Sequence, residues 1–217
     1  MSNEQQEALG RSEAFVNFQQ QLSRAAKVDR PLLLLGERGT GKELAARRIH
    51  YLSKRWNAPL VTLNCAALTS SLLTSELFGA EAGAYTGAER RRPGRFEAAH
   101  QGSLFLDELG HLPMEAQEKV LRVVEYGSFE RLGSTEAVHV DVRLVGATHV
   151  DLRGLARIGR FKEDLLDRLC FEVLHLPPLR ERREDIMLLA QHFAHRMARE
   201  LDRKGSCRFS PKAQAAL

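Results

Sequence analysis

The residues best suited to chemistry in this sequence form a glycine-rich run that ends in a lysine. The run has the spacing G-x-x-x-x-G-K and consists of Gly36, Glu37, Arg38, Gly39, Thr40, Gly41, Lys42 and Glu43. Glycines let the backbone curve until successive amides point inward, and the free amides of a helix start attract phosphate. Because an apolar stretch at 32–35 precedes the run and a helical pattern follows it, the run predicts a loop that binds a nucleoside triphosphate. Glu43 replaces the usual hydroxyl residue, so we expect another group to hold the metal.

A pair of acids follows the third apolar stretch of the chain. Asp107 and Glu108 come directly after residues 103–106, which have the continuous apolar character of a buried parallel strand. In a nucleotide hydrolase, Asp107 would hold magnesium, directly or through water, and Glu108 would orient and polarise the attacking water. An acidic turn is the alternative for such a pair alone, but its combination with the phosphate loop favours hydrolysis.

Asn64 ends the strand predicted next to this pair, and its role stays open between two interpretations. Its amide either hydrogen-bonds Glu108 and holds that carboxylate away from the water, or it caps a turn at the strand end, which is a common role of asparagine.

Two basic residues in a charged helical segment are candidates to meet the charge that builds on the transferring phosphate. Arg168 suits this better than Lys162, since a guanidinium offers a planar fork and an ammonium only a point charge. A helix at the far side of one subunit would offer such a group to the nucleotide of its neighbour. The alternative is surface ion pairing with Asp164 or Asp167.

A second glycine-rich run has no hydrophobic period. It consists of Gly83, Ala84, Tyr85, Thr86, Gly87 and Ala88. Two glycines around an aromatic and a hydroxyl residue predict a mobile loop whose tip binds a partner. The alternative is a tyrosine buried under a turn.

Composition sets broad limits on the chain. Its 217 residues suffice for one domain with a small appendage, and 43% hydrophobic with 28% charged residues is typical of a soluble globular protein. A net charge of +4 is too weak to argue for nucleic-acid binding, and neither a membrane span nor a signal peptide is evident. Three widely spaced cysteines predict ordinary thiols in a reducing cytoplasm; they are Cys65, Cys170 and Cys207.

The order of the predicted elements indicates the fold class. Apolar strands alternate with helical patterns and lie at 32–35, 60–63, 103–106, 142–145 and 171–176. This order predicts an α/β fold with a parallel five-stranded sheet sandwiched by helices, and ligands at the carboxyl ends of its strands. Residues 128–132 and 137–140 predict a β-hairpin. Pro177-Pro178 marks a boundary between an α/β subdomain at 1–176 and the start of a helical subdomain at 177–217.

These motifs together resemble the AAA+ ATPases of the bacterial enhancer-binding class, which activate sigma-54 RNA polymerase. The run at 36–43 resembles the phosphate loop of that class, including its final glutamate, and 104–108 resembles its acidic strand. Residues 75–79 lead into 83–88, which resemble the G-A-F-T-G-A signature of the class. Residues 161–169 are similar to its arginine-finger helix and 176–182 to the start of its lid. The resemblance covers nearly the whole chain from about Leu9.

The resemblance implies a machine that turns over ATP with Mg²⁺. Members of the class form hexameric rings with ATP between subunits, and hydrolysis moves the loop at 83–88 against sigma-54 to open the promoter complex. Residues 51–56 resemble the phage-shock branch, in which the negative regulator phage-shock protein A docks on the ATPase domain. Trp56 would belong to that surface; a half-buried tryptophan at a helix end is the alternative. The resemblance also implies that the lid continues past 217 and that DNA binding belongs to a C-terminal helix-turn-helix outside this chain.

Three residues depart from the pattern of the class. Tyr85 replaces phenylalanine, Lys162 replaces arginine, and His149 replaces asparagine. Tyr85 keeps the ring and adds a hydroxyl, Lys162 leaves Arg168 as the expected finger, and His149 would make nucleotide sensing pH-dependent. Two other functions therefore stay open: a nucleotide-gated binding module that hydrolyses poorly, and another AAA+ remodeller, against which the 83–88 signature argues.

Overall fold

The computed structural model describes residues 8–84, 90–203 and 209–216. The helices are α1 (Glu13–Ala26), α2 (Lys42–Tyr51), α3 (Ser70–Phe78), α4 (Arg95–Ala98), α5 (Met114–Tyr126), α6 (Leu152–Arg157), α7 (Glu163–Leu169), α8 (Ile186–Glu200) and α9 (Pro211–Ala216). The strands are β1 (Leu32–Leu35), β2 (Leu60–Asn64), β3 (Ser103–Asp107), β4 (Ser128–Glu130), β5 (Ala137–His139), β6 (Arg143–Thr148) and β7 (Glu172–His175). Short 3-10 turns lie at Leu109–His111, Leu179–Glu181 and Arg183–Asp185.

The main sheet has five strands in the order β2-β3-β6-β1-β7, and every neighbouring pair is parallel. The predicted five-stranded parallel sheet is thus confirmed. The register sets Asn64 beside Asp107 and Leu106 beside Gly146. The ends of β2, β3 and β6 therefore meet at one edge, which we call the carboxyl edge.

Successive strand residues point to opposite sides of this sheet, so both of its faces carry apolar side chains. Helices cover both faces and bury these side chains. In β1, Leu32 and Leu34 face one cluster of buried side chains, whereas Leu33 faces the other. The first cluster includes Leu22 of α1 and Ile49 of α2. The second cluster joins the sheet to helices on the other face and includes Leu77 of α3, Val120 of α5 and Leu165 of α7. Each such leucine contributes about 1.5–3 kcal/mol when it is fully buried.

The hairpin predicted from the sequence is the antiparallel pair β4 and β5. Phe129 anchors it, since its ring centroid lies 5.5 Å from that of Phe78 and 5.9 Å from that of Phe96. Aromatic rings at this spacing add attraction beyond their buried area.

Local capping sets the ends of two helices. Ser12 precedes α1, and its hydroxyl accepts a hydrogen bond from the Phe15 amide at 3.4 Å. Gly127 ends α5 at φ 64°, a left-handed conformation that favours glycine.

The segment after β7 is tied to the start of α1 by a buried carboxylate. Asp185 accepts hydrogen bonds from the amides of Arg11 and Ser12 at 2.6 and 3.0 Å and from the Ser12 hydroxyl at 2.7 Å. Burial alone would raise the pKa of Asp185, but these bonds and the Arg182 charge together lower it. Asp185 therefore fixes where the chain turns toward α8.

Within the described ranges, no helix is long and apolar enough to cross a membrane.

Candidate active site

The phosphate loop connects β1 to α2 at the carboxyl edge. Gly39 and Gly41 have φ values of 79° and 99°, which a residue with a side chain rarely adopts. A Cβ on Gly36 would lie 2.9 Å from Thr40 Oγ1 and 3.0 Å from Leu176 Cβ, so the loop packs closely there as well. Lys42 is 7% exposed, and its Nζ donates to the carbonyl oxygens of Gly36 and Glu37 at 2.9 and 3.1 Å. The ammonium thus lies inside the loop, where phosphate oxygens can replace those carbonyls.

Asp107 ends β3 beside this loop, and its Oδ1 accepts a hydrogen bond from the Glu108 amide at 2.9 Å. The pKa of Asp107 is raised, mainly by burial and also by the nearby Glu108 charge. The hydrogen bond from the Glu108 amide and the charge of Lys42 act in the opposite direction. A cation beside Asp107 would offset the cost of its burial. Such a carboxylate suits magnesium, which proteins hold through one or two carboxylates together with substrate phosphates.

Glu108 has a left-handed backbone, with φ 53° and ψ 48°. Such a conformation costs a residue other than glycine about 1–3 kcal/mol and tends to occur at functional sites. It turns the chain sharply after Asp107, so that consecutive carboxylates have different surroundings.

His149 is the nearest partner of Glu108. It follows β6, and its Nδ1 lies 2.6 Å from Glu108 Oε2. Arg38 Nε lies 3.9 Å from the other oxygen, Oε1. The sequence indicated His149 only as a nucleotide sensor and gave no sign of this contact.

Asn64 does not contact Glu108 as the first of its two interpretations required. Its Oδ1 accepts a hydrogen bond from the Ala66 amide at 2.8 Å, and no bond to Glu108 is found among the described residues. In this structure Asn64 therefore has the turn role, because its side chain satisfies the backbone two residues on.

A cleft of about 520 Å³ opens beside the phosphate loop, and the sequence did not reveal it. Its walls come from α1, the loop, β7 and the turn after β7; they include Asn17, Phe18, Gln21, Gly36, Glu37, Leu176 and Arg180. The cleft combines apolar walls with side-chain amides, which is the usual make-up of a small-molecule site.

An ion pair joins two walls of this cleft. Arg180 donates to both carboxylate oxygens of Glu37, at 2.8 and 2.7 Å. The hydrogen bond from Arg180, together with its charge, lowers the pKa of Glu37 although burial opposes this. Both side chains are exposed, so the pair bridges the loop and the turn after β7 without adding much stability.

Lys162 precedes α7, Arg168 lies in the last turn of α7, and both pair with α5. Lys162 Nζ lies 2.9 Å from Glu118 Oε1, and Arg168 Nε donates to Glu125 Oε1 at 2.9 Å. Arg168 thus has the surface ion pair that the alternative interpretation proposed, but its partner is Glu125 and not Asp164 or Asp167. The side chain of Arg168 is 61% exposed. No hydrogen bond or ion pair among the described residues joins either base to the phosphate loop.

The second glycine-rich run lies only in part within the described residues. Gly83 has φ 81°, and the Ala84 amide donates to the Glu81 carbonyl oxygen at 3.2 Å. Tyr85, Thr86, Gly87 and Ala88 lie outside the described residues. Before the run, Ala80 forms an antiparallel bridge with Arg92.

A buried ion cluster supports the base of this run. Arg131, with a side chain 6% exposed, lies 2.6 Å from a Glu97 oxygen and 3.2 Å from a Glu81 oxygen. Arg131, directly after β4, thereby joins Glu81, which precedes the run, to Glu97 of α4, which follows it.

Trp56 is 62% exposed, so the half-buried alternative is wrong. Tyr51 and Leu52 nearby are 49% and 43% exposed.

The cysteines in the described residues are free thiols. Cys65 is buried, and its burial, followed by the charges of Asp107 and Glu108, raises its pKa to about 12. Cys170 is partly buried. Cys207 lies outside the described residues. In the part of the chain that the structure describes, no cluster of three or more His, Cys, Asp or Glu residues forms a metal cage.

Comparison with known proteins gives a consistent result. The model of the family described as "Sigma-54 interaction domain" matches residues 8–175. The Psp operon transcriptional activator of Escherichia coli (strain K12) is 58% identical over 193 residues, which cover 89% of this chain and 59% of that protein. The formate hydrogenlyase transcriptional activator FhlA of the same strain is 52% identical, covering 91% of this chain and 28% of that protein. The chain thus spans less than two thirds of the length of these relatives.

Solved structures agree. The crystal structure of NtrX from Brucella abortus in complex with ATP superposes with a TM-score of 0.89 at 39% identity, covering 96% of this chain and 45% of that one. The P-loop NTPase domain of a sigma-54 transport activator from E. coli has a TM-score of 0.52 at 22% identity, over 79% of this chain and 99% of that one; this likeness concerns the fold alone. The predicted fold class is confirmed: the chain has an AAA+ P-loop fold and belongs to the sigma-54 interaction domain family.

Proposed function

We propose that this chain is the ATP-hydrolysing part of a transcriptional activator that remodels sigma-54 RNA polymerase. One observation carries the proposal: the ammonium of Lys42 lies inside the phosphate loop, at the edge where β3 delivers Asp107 and Glu108. Members of the same family are transcriptional activators, and NtrX has been crystallised with ATP and with ADP.

The phosphates would lie on the loop amides and Lys42, and the base in the cleft beside it. The Asn17 and Gln21 amides line that cleft and can hydrogen-bond a purine edge. Glu37 and Arg180 would close the cleft over the nucleotide. In this arrangement each part of the nucleotide has a matching environment: cation for phosphate, and an apolar, amide-lined wall for the base.

Magnesium would be held by Asp107 and the phosphates, since Glu43 replaces the usual hydroxyl ligand. Bound there, the metal supplies positive charge that stabilises the negative charge of the reacting phosphates. Glu108 would then accept a proton from the attacking water. Its left-handed backbone separates it from Asp107 and leaves it free for this second task.

Catalysis would be completed between subunits of a ring, hexameric in the enhancer-binding class. Arg168 lies exposed at the end of α7 and can reach a neighbour's nucleotide by exchanging Glu125 for phosphate. Lys162 would assist as a weaker point charge. The boundary proposed at 176/177 falls after β7, so that α8 and α9 begin the lid.

Two surfaces would bind protein partners. The run from Gly83 to Ala88 would contact sigma-54, and the ion cluster around Arg131 would transmit movement to it. The exposed Trp56 would take part in docking a negative regulator such as phage-shock protein A. DNA binding would belong to another domain of the complete protein.

Capture of sigma-54 tests the proposal. The tagged chain is mixed with purified sigma-54 and no nucleotide, ATP with Mg²⁺, or ADP with Mg²⁺ and aluminium fluoride, a transition-state analogue. We expect capture with the analogue and its loss in Tyr85→Ala, whereas Tyr126→Ala, a matched change at a side chain 72% exposed, retains it. Absence of capture under every nucleotide would overturn the sigma-54 assignment.

The departures at Lys162 and His149 favour a second candidate, a nucleotide-gated binding module that turns over slowly. Tight ATP binding without steady turnover would support that candidate. Steady turnover that collapses in Glu108→Gln would exclude it.

A further inference from the structure

We propose that the ion pair between Glu37 and Arg180 is a latch at the rim of the cleft and that it slows the release of bound nucleotide. The inference rests on the proposed binding of nucleotide at the carboxyl edge, and it assigns to this pair the control of release from that same site. Three observations carry it: the geometry of the pair, its place at the rim, and the anchoring of both of its ends.

The pair has the geometry of a strong ionic contact. Arg180 donates to both carboxylate oxygens of Glu37, at 2.8 and 2.7 Å. Such two-bond contacts use the planar fork of the guanidinium and fix the orientation of the two groups, which the point charge of a lysine does not do. Since 143 residues separate the partners, the pair joins the phosphate loop to the distant turn at Leu179–Glu181.

The pair lies at the rim of the cleft and not in its interior. Glu37 and Arg180 both line the cleft, and their side chains are 58% and 62% exposed. Phe18 and Leu176 line the same cleft but are buried, so they form its inner wall. The pair therefore narrows the path between this inner wall and solvent.

The Glu37 end of the latch is held by the phosphate loop. The Glu37 carbonyl oxygen accepts hydrogen bonds from the Lys42 ammonium at 3.1 Å and from the Thr40 hydroxyl at 2.8 Å. Glu37 consequently belongs both to the loop that would bind the phosphates and to the cleft that would bind the base. A nucleotide that occupies both places passes beside Glu37.

The Arg180 end of the latch is held by the chain that leads to α8. The guanidinium of Arg182 is buried and lies over the ring of Phe15, 5.4 Å from its centroid. Asp185 is buried and accepts three hydrogen bonds from residues 11–12, directly before α1. The turn that carries Arg180 is thus fixed to α1, which forms another wall of the cleft. Because both ends are fixed, the pair loses little conformational freedom when it forms.

The charge of Glu37 and the latch act on a bound nucleotide in opposite directions. Glu37 belongs to the phosphate loop, and its negative charge repels phosphate, so this charge alone would speed release. The latch slows release, because Glu37 holds Arg180 across the rim. A neutral residue in place of Glu37 separates the two effects: loss of the latch speeds release, whereas loss of repulsion slows it.

The rate of ADP release tests the proposal. ADP with a fluorescent label on its ribose is bound to the protein and displaced by excess unlabelled ADP in a stopped-flow instrument. Glu37→Gln and Arg180→Gln should each speed release about 2-fold to 5-fold, the range expected of an exposed ion pair. Slower release in Glu37→Gln, or a change of less than about 2-fold in both variants, would overturn the proposal.

A conservative variant and a matched control sharpen this measurement. Arg180→Lys keeps the charge without the planar fork, so its release rate should lie between those of the native chain and Arg180→Gln. Arg122→Ala removes another exposed arginine, which pairs with Glu130 at 3.6 Å, and should leave the rate unchanged. Native release in Arg180→Gln combined with faster release in Arg122→Ala would contradict the latch.

Coupling between the two residues tests whether they act as one unit. The double variant of Glu37→Gln with Arg180→Gln should release ADP no faster than the faster single variant, because either change alone already opens the latch. Effects that multiply would show that the two charges act separately and would overturn the proposal.

Urea denaturation of the same variants separates the latch from damage to the fold. Because both side chains are exposed, the midpoint of unfolding should stay at its native value in each variant. Faster release that appears only together with a lowered midpoint would overturn the proposal. A chain that binds neither ATP nor ADP would overturn both this inference and the proposed function. A chain that binds nucleotide but releases it at the native rate in Glu37→Gln and Arg180→Gln would overturn this inference only.

Discussion

At the amino edge of the sheet, charged side chains are each held by several protein groups, whereas at the carboxyl edge they have few partners. Arg143, at the start of β6, is 4% exposed and donates to the carbonyl oxygens of Ala26, Ala25 and Arg30 at 2.7, 2.9 and 3.2 Å. At the opposite edge, Lys42 bonds just two acceptors among the described residues, both of them carbonyl oxygens of its own loop. The amino edge thus holds charges that stabilise the fold, and the carboxyl edge holds charges that suit a ligand.

Arg55 shows the same property of the amino edge. It bridges Asp29 and Asp141 at 2.7 and 2.8 Å and also donates to the Gly102 carbonyl oxygen at 3.3 Å. Its side chain is 13% exposed. A charge so fully paired has no capacity left for a ligand, and its loss would be measured in stability.

The largest expected effect on stability is that of Arg143→Ala. It should lower the free energy of unfolding by about 3 kcal/mol, because three carbonyl oxygens, those of Ala25 and Ala26 in buried hydrogen bonds, lose their donors. Urea denaturation followed by circular dichroism measures the change. Arg122→Ala, at a side chain 64% exposed, is the control and should shift it by less than about 0.5 kcal/mol. A loss below about 1 kcal/mol in Arg143→Ala would remove the distinction between the edges.

Two aspartates at opposite edges should respond to pH with opposite signs. Hydrogen bonding to Arg55 lowers the pKa of Asp29, despite partial burial, whereas burial raises the pKa of Asp107. Ionised Asp29 therefore stabilises the fold above its unfolded pKa, near 3.8, and this contribution is lost as the pH falls through the lower folded pKa. Ionised Asp107 destabilises the fold above its raised folded pKa, and that penalty disappears as the pH falls toward 3.8.

Unfolding of nucleotide-free and magnesium-free protein between pH 3 and 7 tests this difference. At pH 7, Asp29→Asn should lose less than about 1 kcal/mol, since the pair is partly exposed, and Asp107→Asn should gain up to about 1 kcal/mol. The gain in Asp107→Asn should vanish at the acid end of the range, whereas the loss in Asp29→Asn should only shrink there, because the folded pKa of Asp29 lies below 3.8. Changes of equal sign would show that the two edges do not differ electrostatically.

The smallest effect on stability is expected at Trp56, the exposed apolar residue before β2 at the amino edge. Because its side chain is 62% exposed, Trp56→Ala should alter the free energy of unfolding by less than about 0.5 kcal/mol. Capture of purified phage-shock protein A should nevertheless weaken, as expected of an aromatic docking residue. Trp56→Phe serves as the conservative control, and unchanged capture in Trp56→Ala would remove this surface from the proposal.

Local patterns allowed much of the carboxyl edge to be predicted. The phosphate loop and the Asp107–Glu108 pair follow from neighbours in sequence. The strands were also located from their apolar runs.

Contacts that depend on how strands and helices are arranged could not be predicted. The pairing of Glu108 with His149 spans 41 residues, and that of Arg168 with Glu125 spans 43. The Glu37–Arg180 pair spans 143 residues. Spacing along the sequence does not predict which of these distant residues pair or where the cleft lies, because strand register and helix packing decide which side chains meet. Asn64 was predicted to be a possible partner of Glu108 because it ends β2, a neighbour of β3. The residue that contacts Glu108 is instead His149, which follows β6, the neighbour of β3 on the other side.

ATP binding and turnover, measured together in two variants, test the central claim that the carboxyl edge binds and hydrolyses ATP. Lys42→Ala should weaken ATP binding by about 100-fold through the loss of a charged phosphate contact. Glu108→Gln should bind ATP as the native chain does and lose at least about 100-fold in steady turnover. If native turnover persists in Glu108→Gln, or ATP binds equally well in Lys42→Ala, this edge is not the catalytic site.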